Sequence, residues 1–400
     1  MGADGDWAEQ DVVFDYFLRM LPFLEARGLA LLGPGAGAWM TETATVFGAF
    51  SPVDYGECAG TCTRAADLPA WLQCNPYIYL DRFGDGPTGE LMLMALDRWL
   101  LDGDDAALLA RLPWAYAALD FFAFTFRNRT AEGRVVIAPT QALETLWCPW
   151  PQSPAECVAD DAPTVAVVTR LLERLLALPA RLGVPAARRE AWAALLAAMP
   201  PLPVDAATGL LLPAASHTGA THNSESMAMY STHPARHFSA ARALVVGVDL
   251  SAAVATFAAD PNSGGSPEGN NGWHQGPLHA ALLGQRDAVA ALLAARTRGA
   301  PLPGYRFAFF SSEDGMAGEP ASEVYSILQA ATQYALMQAA DDAGATIVLL
   351  PGWPCAWNVS FRLHGPLNTT VTAVWAAARM QSLVVDPPER APSVIVAPGC

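Results

Sequence analysis

The segment HTGATHNSESMAMYSTHP, His217 to Pro234, sets one carboxylate, Glu225, among an amide (Asn223), several hydroxyls and three histidines. A carboxylate kept ionised and oriented by such neighbours is what a general base for water requires. A glutamate just ahead of the helical spacing of MAMYS also suits a helix cap, so residue type alone leaves both roles open. A second acid stands in APTQALETLW, Ala138 to Trp147. There a β-like run ends at Pro139, and a polar turn presents Gln141 and Glu144 shortly before Trp147. A carboxyl beside an indole face has its pKa raised by desolvation, which suits a proton donor near neutral pH. A cap or salt bridge at a helix start competes for Glu144 as well. Together the two acids form the kind of pair that flanks a scissile glycosidic bond, with Glu144 as proton donor and Glu225 as activator of water. Inversion requires the two carboxyls about 6.5–9.5 Å apart.

Weaker signals surround this pair. Asn223 is placed to orient Glu225. Glu42 lies between threonines after Trp39, and GNNGWHQG sets Trp273 and His274 behind asparagines and glycines that let a loop approach a ligand closely. Indoles stack on the C–H faces of sugars, although tryptophan is also a common core residue. Glu42, Trp147, Trp273 and His274 are therefore expected, with Asn223, to line a sugar pocket. No metal or cofactor is expected. Cys58-x-x-x-Cys62 lacks a second ligand pair for zinc, and no G-x-G-x-x-G, P-loop, H-E-x-x-H or G-x-S-x-G motif occurs.

Composition narrows the partners. The 400 residues are 52% hydrophobic and 16% charged, enough apolar material for a large core. The net charge is −16 and lysine is absent, a bias that matches the abundance of Ala, Pro, Gly and Arg. Such acidity disfavours nucleic acid and anionic membrane surfaces, which need clustered basic residues. No apolar run is long enough to predict a membrane span. Seven cysteines cannot all pair with one another, but the Cys58, Cys62 and Cys74 cluster and the Cys148 and Cys157 pair lie in loop-like sequence where short disulfides can form. Sequons at Asn128, Asn358 and Asn368 favour a secretory setting, although MGADGDWAEQ has no signal-peptide pattern.

The elements that must position these residues are mostly helices. Helical spacing covers 11–28, where Pro22 is expected to kink or split the run, then 89–104, 105–126, 162–183, 186–199, 235–247, 276–284, 287–297 and 322–340. After residue 344 the period becomes two, and ATIVLLP, NVSFRLH, NTTVTAVW and RMQSLVVD read as strands. The fold class is mainly α: a helical domain over 1–343, then a small antiparallel β domain over 344–400. Helices joined as hairpins by chemically rich loops suggest an incomplete (α/α)6-toroid with a site at one mouth, an irregular helical domain being the alternative.

A family resemblance runs through the same residues. GELMLMALDRWLLDGD, APTQALET, DAPTVAVVTRLLERLL, NSESMAMYSTHP, NGWHQGPLHAALLGQRDA, EDGMAGEPASEVYSILQAA and IVLLPGWPCAWNVSFRLHGPLNTTV resemble, in this order, motifs of six-hairpin glycosidases related to the 1,2-α-L-fucosidase family. The resemblance implies a helical toroid with a trailing β domain and inverting hydrolysis. It also implies a glutamic acid as general acid, and an aspartate tuned by asparagines as activator of water. The chain departs from the pattern in several places. The family's histidine–arginine–histidine run is replaced by His222, Asn223, Ser224 and Glu225, and Ala235 and Arg236 stand near Pro234 where an aspartate is expected. Asp97 falls on a family glutamate and so rivals Glu144 as the acid. The family's leading β-sandwich and activating asparagines would precede Met1, so the chain resembles the carboxy-terminal two-thirds of such a protein. A phosphorylase of the same architecture and a non-catalytic carbohydrate-binding or scaffold toroid are the alternatives. Oligomeric state, sugar and linkage are not legible.

Overall fold

A computed structural model describes residues 7–39, 89–143, 145–148, 157–262, 274–298, 322–342 and 344–399. These residues form a mainly helical protein with small sheets. The first helix, α1 (Trp7–Leu32), runs through Pro22 as one element. Pro22 is exposed, so the carbonyl its ring leaves unpaired can turn to water, and the expected split does not occur. Next come α2 (Gly89–Asp102) and α3 (Asp105–Thr125). Asp104 starts α3 by accepting the N–H of Ala107 at 2.9 Å. Strand β1 (Ala159–Asp161) leads into α4 (Ala162–Leu176), where Asp161 caps through Thr164 N–H at 2.7 Å and Pro163 stands in the first turn. Then follow α5 (Ala186–Ala198) and β2 (Ala214–Ser216), which pairs antiparallel with β1.

Helices α1 to α5 enclose one core, built from Phe14, Leu24, Leu96, Leu112, Phe122, Leu172 and Trp192 among others. Helix α3 has the length and composition to cross a membrane. Its Leu108, Ala115, Leu119 and Phe122 are instead packed into this core, so no clear span results. The α1–α3 contact depends on Gly37, which has φ +69°. A Cβ there would sit 2.3 Å from the Ala117 carbonyl oxygen and 2.5 Å from Phe121 N.

The second half holds α6 (Ala240–Val246), α7 (Ser251–Ala259), α8 (Gly276–Leu282), α9 (Arg286–Arg298) and α10 (Ser322–Leu336). The helical reading of 322–340 overruns: Met337–Ala339 is strand β3, because its backbone pairs with β4 (Ile347–Leu349). The three residues of β4 are all buried, and β8 (Val394–Val396) pairs parallel to its other edge. A meander of β5 (Val359–Gly365), β6 (Thr369–Ala376) and β7 (Arg379–Asp386) forms the remaining sheet. In β6, Val371, Ala373 and Trp375 point inward in strict alternation, as a strand with one covered face should. Helices α7 to α10 and strands β4 to β6 share a second core containing Phe257, Leu292, Ala331, Leu349 and Trp375. Strand β3 belongs to the span expected to be helical and β4 to the span expected to be strands, and the two pair antiparallel.

Candidate functional site

The turn after Pro139 is fastened on three sides. Thr140 pairs with Val158 through two backbone hydrogen bonds of 3.0 and 2.9 Å. The Thr140 hydroxyl also donates to Asp161 Oδ2 at 3.0 Å, tying the turn to the cap of α4. Cys148 and Cys157 form the disulfide that their spacing allowed. Within the turn, Ala142 and Leu146 exchange backbone hydrogen bonds of 3.0 Å, and the Gln141 amide donates to the Leu143 carbonyl. Leu143, with φ 48°, is held in the left-handed region beside it.

This fastened turn meets the segment that carries Glu225. His222 N–H donates to the Thr145 carbonyl at 2.9 Å, and Leu146 bridges Thr221. The Trp147 indole stacks on the His222 imidazole, centroids 3.7 Å apart and planes within 6°. Thr145 then makes the decisive contacts. Its hydroxyl donates to Glu225 Oε2 at 2.8 Å and accepts the Glu225 backbone N–H at 3.2 Å. A charged acceptor strengthens the first of these bonds. Residues 227–231 form a single tight 3-10 turn, and Ser226 at its cap position makes no side-chain capping bond.

Glu225 opens on a cavity of about 40 Å³ that it shares with Leu143, Ser226, Tyr230, His274, Gln275 and His279. At roughly 10–15 Å³ per water, the space is water-sized rather than sugar-sized. His274 is 4% exposed. Its Nε2 lies 3.3 Å from Ser224 Oγ, and its carbonyl accepts Arg296 Nη2 at 2.5 Å. Burial pulls His279 down to about 3, assisted by the nearby His233. His233 is itself lowered to about 4, chiefly by burial, and its Nδ1 lies 3.2 Å from Gln275 Oε1. Both imidazoles are therefore neutral at pH 7, so neither neutralises Glu225.

No protein-family model matches the chain, and no curated protein sequence matches it.

Of the residues singled out in the sequence, Glu225, Asn223, Trp147 and His274 are brought into one neighbourhood. Asn223 Oδ1 accepts the N–H of Ser224 at 2.8 Å, and the carboxylate of Glu225 is held from Thr145. Glu42, Glu144 and Trp273 lie outside the described residues. Asp97 stands apart from this group: its Oδ1 accepts from Arg174 Nη1 at 2.5 Å and from Arg236 Nη2, on a different cavity. Thr145, Gln275 and His279 were not anticipated. The last two are four residues apart at the start of α8, a spacing that puts them on one helical face. Thr145 has no such local signal, because its partner is 80 positions away.

Proposed function

We propose that the chain is a glycoside hydrolase-like protein of toroid architecture that cleaves a glycosidic bond with inversion. Glu225 is the general base and Glu144 the general acid. The observation that carries this reading is the contact of Thr145 with Glu225, which joins the two acid-bearing segments across 80 positions of sequence. Glu225 takes a proton from a water in the small cavity as that water attacks the anomeric carbon. Glu144 protonates the leaving oxygen, and the sugar departs with inverted configuration. The Thr145 hydroxyl fixes the carboxylate's orientation, and Trp147 backs the site from its stack on His222. Water is favoured over phosphate as the nucleophile because Arg236, the arginine nearest this segment in sequence, is committed to Asp97.

The test is turnover of a panel of aryl glycosides and oligosaccharides by the wild type and by Glu144→Gln and Glu225→Gln. Removing either acid or base should lower kcat by about 100-fold or more. Equal turnover by all three proteins overturns the assignment, and glycan binding without turnover in the wild type supports a scaffold instead.

A further inference from the structure

The N-x-S/T sequons at Asn128, Asn358 and Asn368 play no part in the site around Glu225, and the fold uses their side chains differently. A carboxamide accepts through its oxygen and donates through its nitrogen, and an N-linked glycan takes the nitrogen. Asn358, just ahead of β5, is exposed, and its Oδ1 accepts the Ala377 N–H at 3.1 Å. That bond occupies the oxygen, fixes the carboxamide and leaves Nδ2 for a substituent. Asn128 is exposed as well. Its main-chain carbonyl accepts Val136 N–H and Arg129 Nη1, both at 3.0 Å, which holds the backbone without engaging the carboxamide.

Asn368 is used the other way round. It lies in the turn between β5 and β6 with φ 54°, and its Nδ2 donates to the Asp102 carbonyl at 2.6 Å. Its main-chain N–H donates to the Leu101 carbonyl at 2.6 Å, and Leu367 N–H donates to the Leu100 carbonyl at 2.8 Å. The turn thus satisfies the last carbonyls of α2, which have no partner within their own helix. A sugar on Nδ2 would stand between Asn368 and the end of α2 and leave those carbonyls short of donors. The partners of Asn358 and Asn368 are both backbone groups, a donor and an acceptor. Their chemistry alone therefore decides which end of each carboxamide faces them.

We infer that the folded protein carries N-linked oligosaccharides on Asn358 and Asn128 and none on Asn368. In each transfer Nδ2 bonds to the anomeric carbon of an oligosaccharide held on a lipid pyrophosphate. The bond from that carbon to the pyrophosphate oxygen breaks, the lipid pyrophosphate leaves, and Nδ2 gives up one of its protons to a base of the transferase. No oxidation or reduction is involved. Transfer to a nascent chain precedes folding, so all three sequons are presented. Chains modified at Asn368 cannot close the turn on α2 and do not reach this fold. The oxidising setting of such transfer agrees with the Cys148–Cys157 disulfide, and Cys355 is disulfide-bonded too. The inference stands whether or not Glu225 catalyses hydrolysis.

The experiment takes the full chain from its native source, cuts it to peptides and treats these with peptide-N-glycosidase in heavy-oxygen water. Each glycosylated asparagine then becomes a labelled aspartate that mass spectrometry locates. Label is expected at Asn358 and Asn128, with Asn368 recovered as unmodified asparagine. The full chain is also secreted from a eukaryotic host as the wild type and as Ser360→Ala, Asn128→Gln and Asn368→Gln. Ser360 is exposed, so Ser360→Ala removes a sequon while the Asn358 bond to Ala377 stays in place. Ser360→Ala and Asn128→Gln should each remove one glycan step in gel mobility, and Asn368→Gln should remove none. Absence of label from Asn358 or Asn128, or label at Asn368 in the folded protein, overturns the inference.

Discussion

Stability should fall steeply between pH 7.5 and pH 5, because three histidines are held neutral in the folded chain. His279, 1% exposed, is lowered to about 3 by burial first and His233 second. His233 is lowered to about 4 by burial, and Arg236 adds to this against the opposing Gln275 contact and Asp97. His237 is lowered to about 4 by burial, against the opposing hydrogen bond to the Ala166 carbonyl, at 2.8 Å. Above pH 6.5 these groups are neutral in both states and contribute nothing. As the pH falls below 6.5 the unfolded chain takes up protons that the native chain refuses, and stability drops until the native values are reached. At pH 5 each group is about 1.5 units below its unfolded value, or about 2 kcal/mol. His233 and His237 reach partly to the surface and count for less, so the sum is about 4–6 kcal/mol, comparable with a whole domain's margin of about 5–15 kcal/mol. Asp341 acts in another window. Burial opposes its ionisation, but Arg174, Arg236 and Arg170 hold it at about 2, so its contribution disappears only as the pH falls from about 4 to about 2. The assay is urea unfolding at pH 7.5, 6 and 5 for the wild type and His279→Gln. The variant should lose about 2 kcal/mol less across that range, whatever its stability at pH 7.5. Equal wild-type midpoints at pH 7.5 and 5, or a variant that declines as steeply as the wild type, would refute the reasoning.

Thr145→Val should lower kcat by about tenfold with KM little changed, and Thr145→Ser should restore it, because the Thr145 contact with Glu225 runs through the hydroxyl; steady-state kinetics checks this. Asp97→Asn leaves Arg174 and Arg236 short of a counter-charge in a mostly enclosed place. It should cost about 3 kcal/mol in urea unfolding at neutral pH. The double variant Cys148→Ser/Cys157→Ser releases the loop that fastens the Thr145 turn, and about 2 kcal/mol should be lost by chain entropy. Gly37→Ala forces a methyl against the α3 backbone at a positive φ, and a cost of about 3 kcal/mol should show as a lower Tm.

Much of the helical framework could be read from periodicity, because a helix is specified by residues three and four apart. Helices α2, α3, α5 and α9 fall where that spacing placed them, and α4 starts as expected but stops at Leu176, short of the expected 183. Helix α7 was missed because SAAVATFAA is short and rich in alanine, with no distinct polar face. The end of α10 was misread as helix because Met337–Ala339 becomes strand only through pairing with Ile347–Leu349. Strand β8 was missed for the same reason, since its partner β4 lies far upstream.

By itself the sequence determined what near neighbours on the chain can settle. That includes most of the helices, the β5–β6–β7 alternation, the possibility of a disulfide between cysteines nine residues apart, and the chemical richness of the 217–234 segment. Only the tertiary structure decided which side chains share a space. It set the Thr145 hydroxyl on Glu225, turned Asp97 toward two arginines and a separate cavity, and buried His279 deeply enough to keep it neutral. Those outcomes depend on contacts between segments tens of residues apart, and burial is a property of everything packed around a group rather than of its neighbours in sequence.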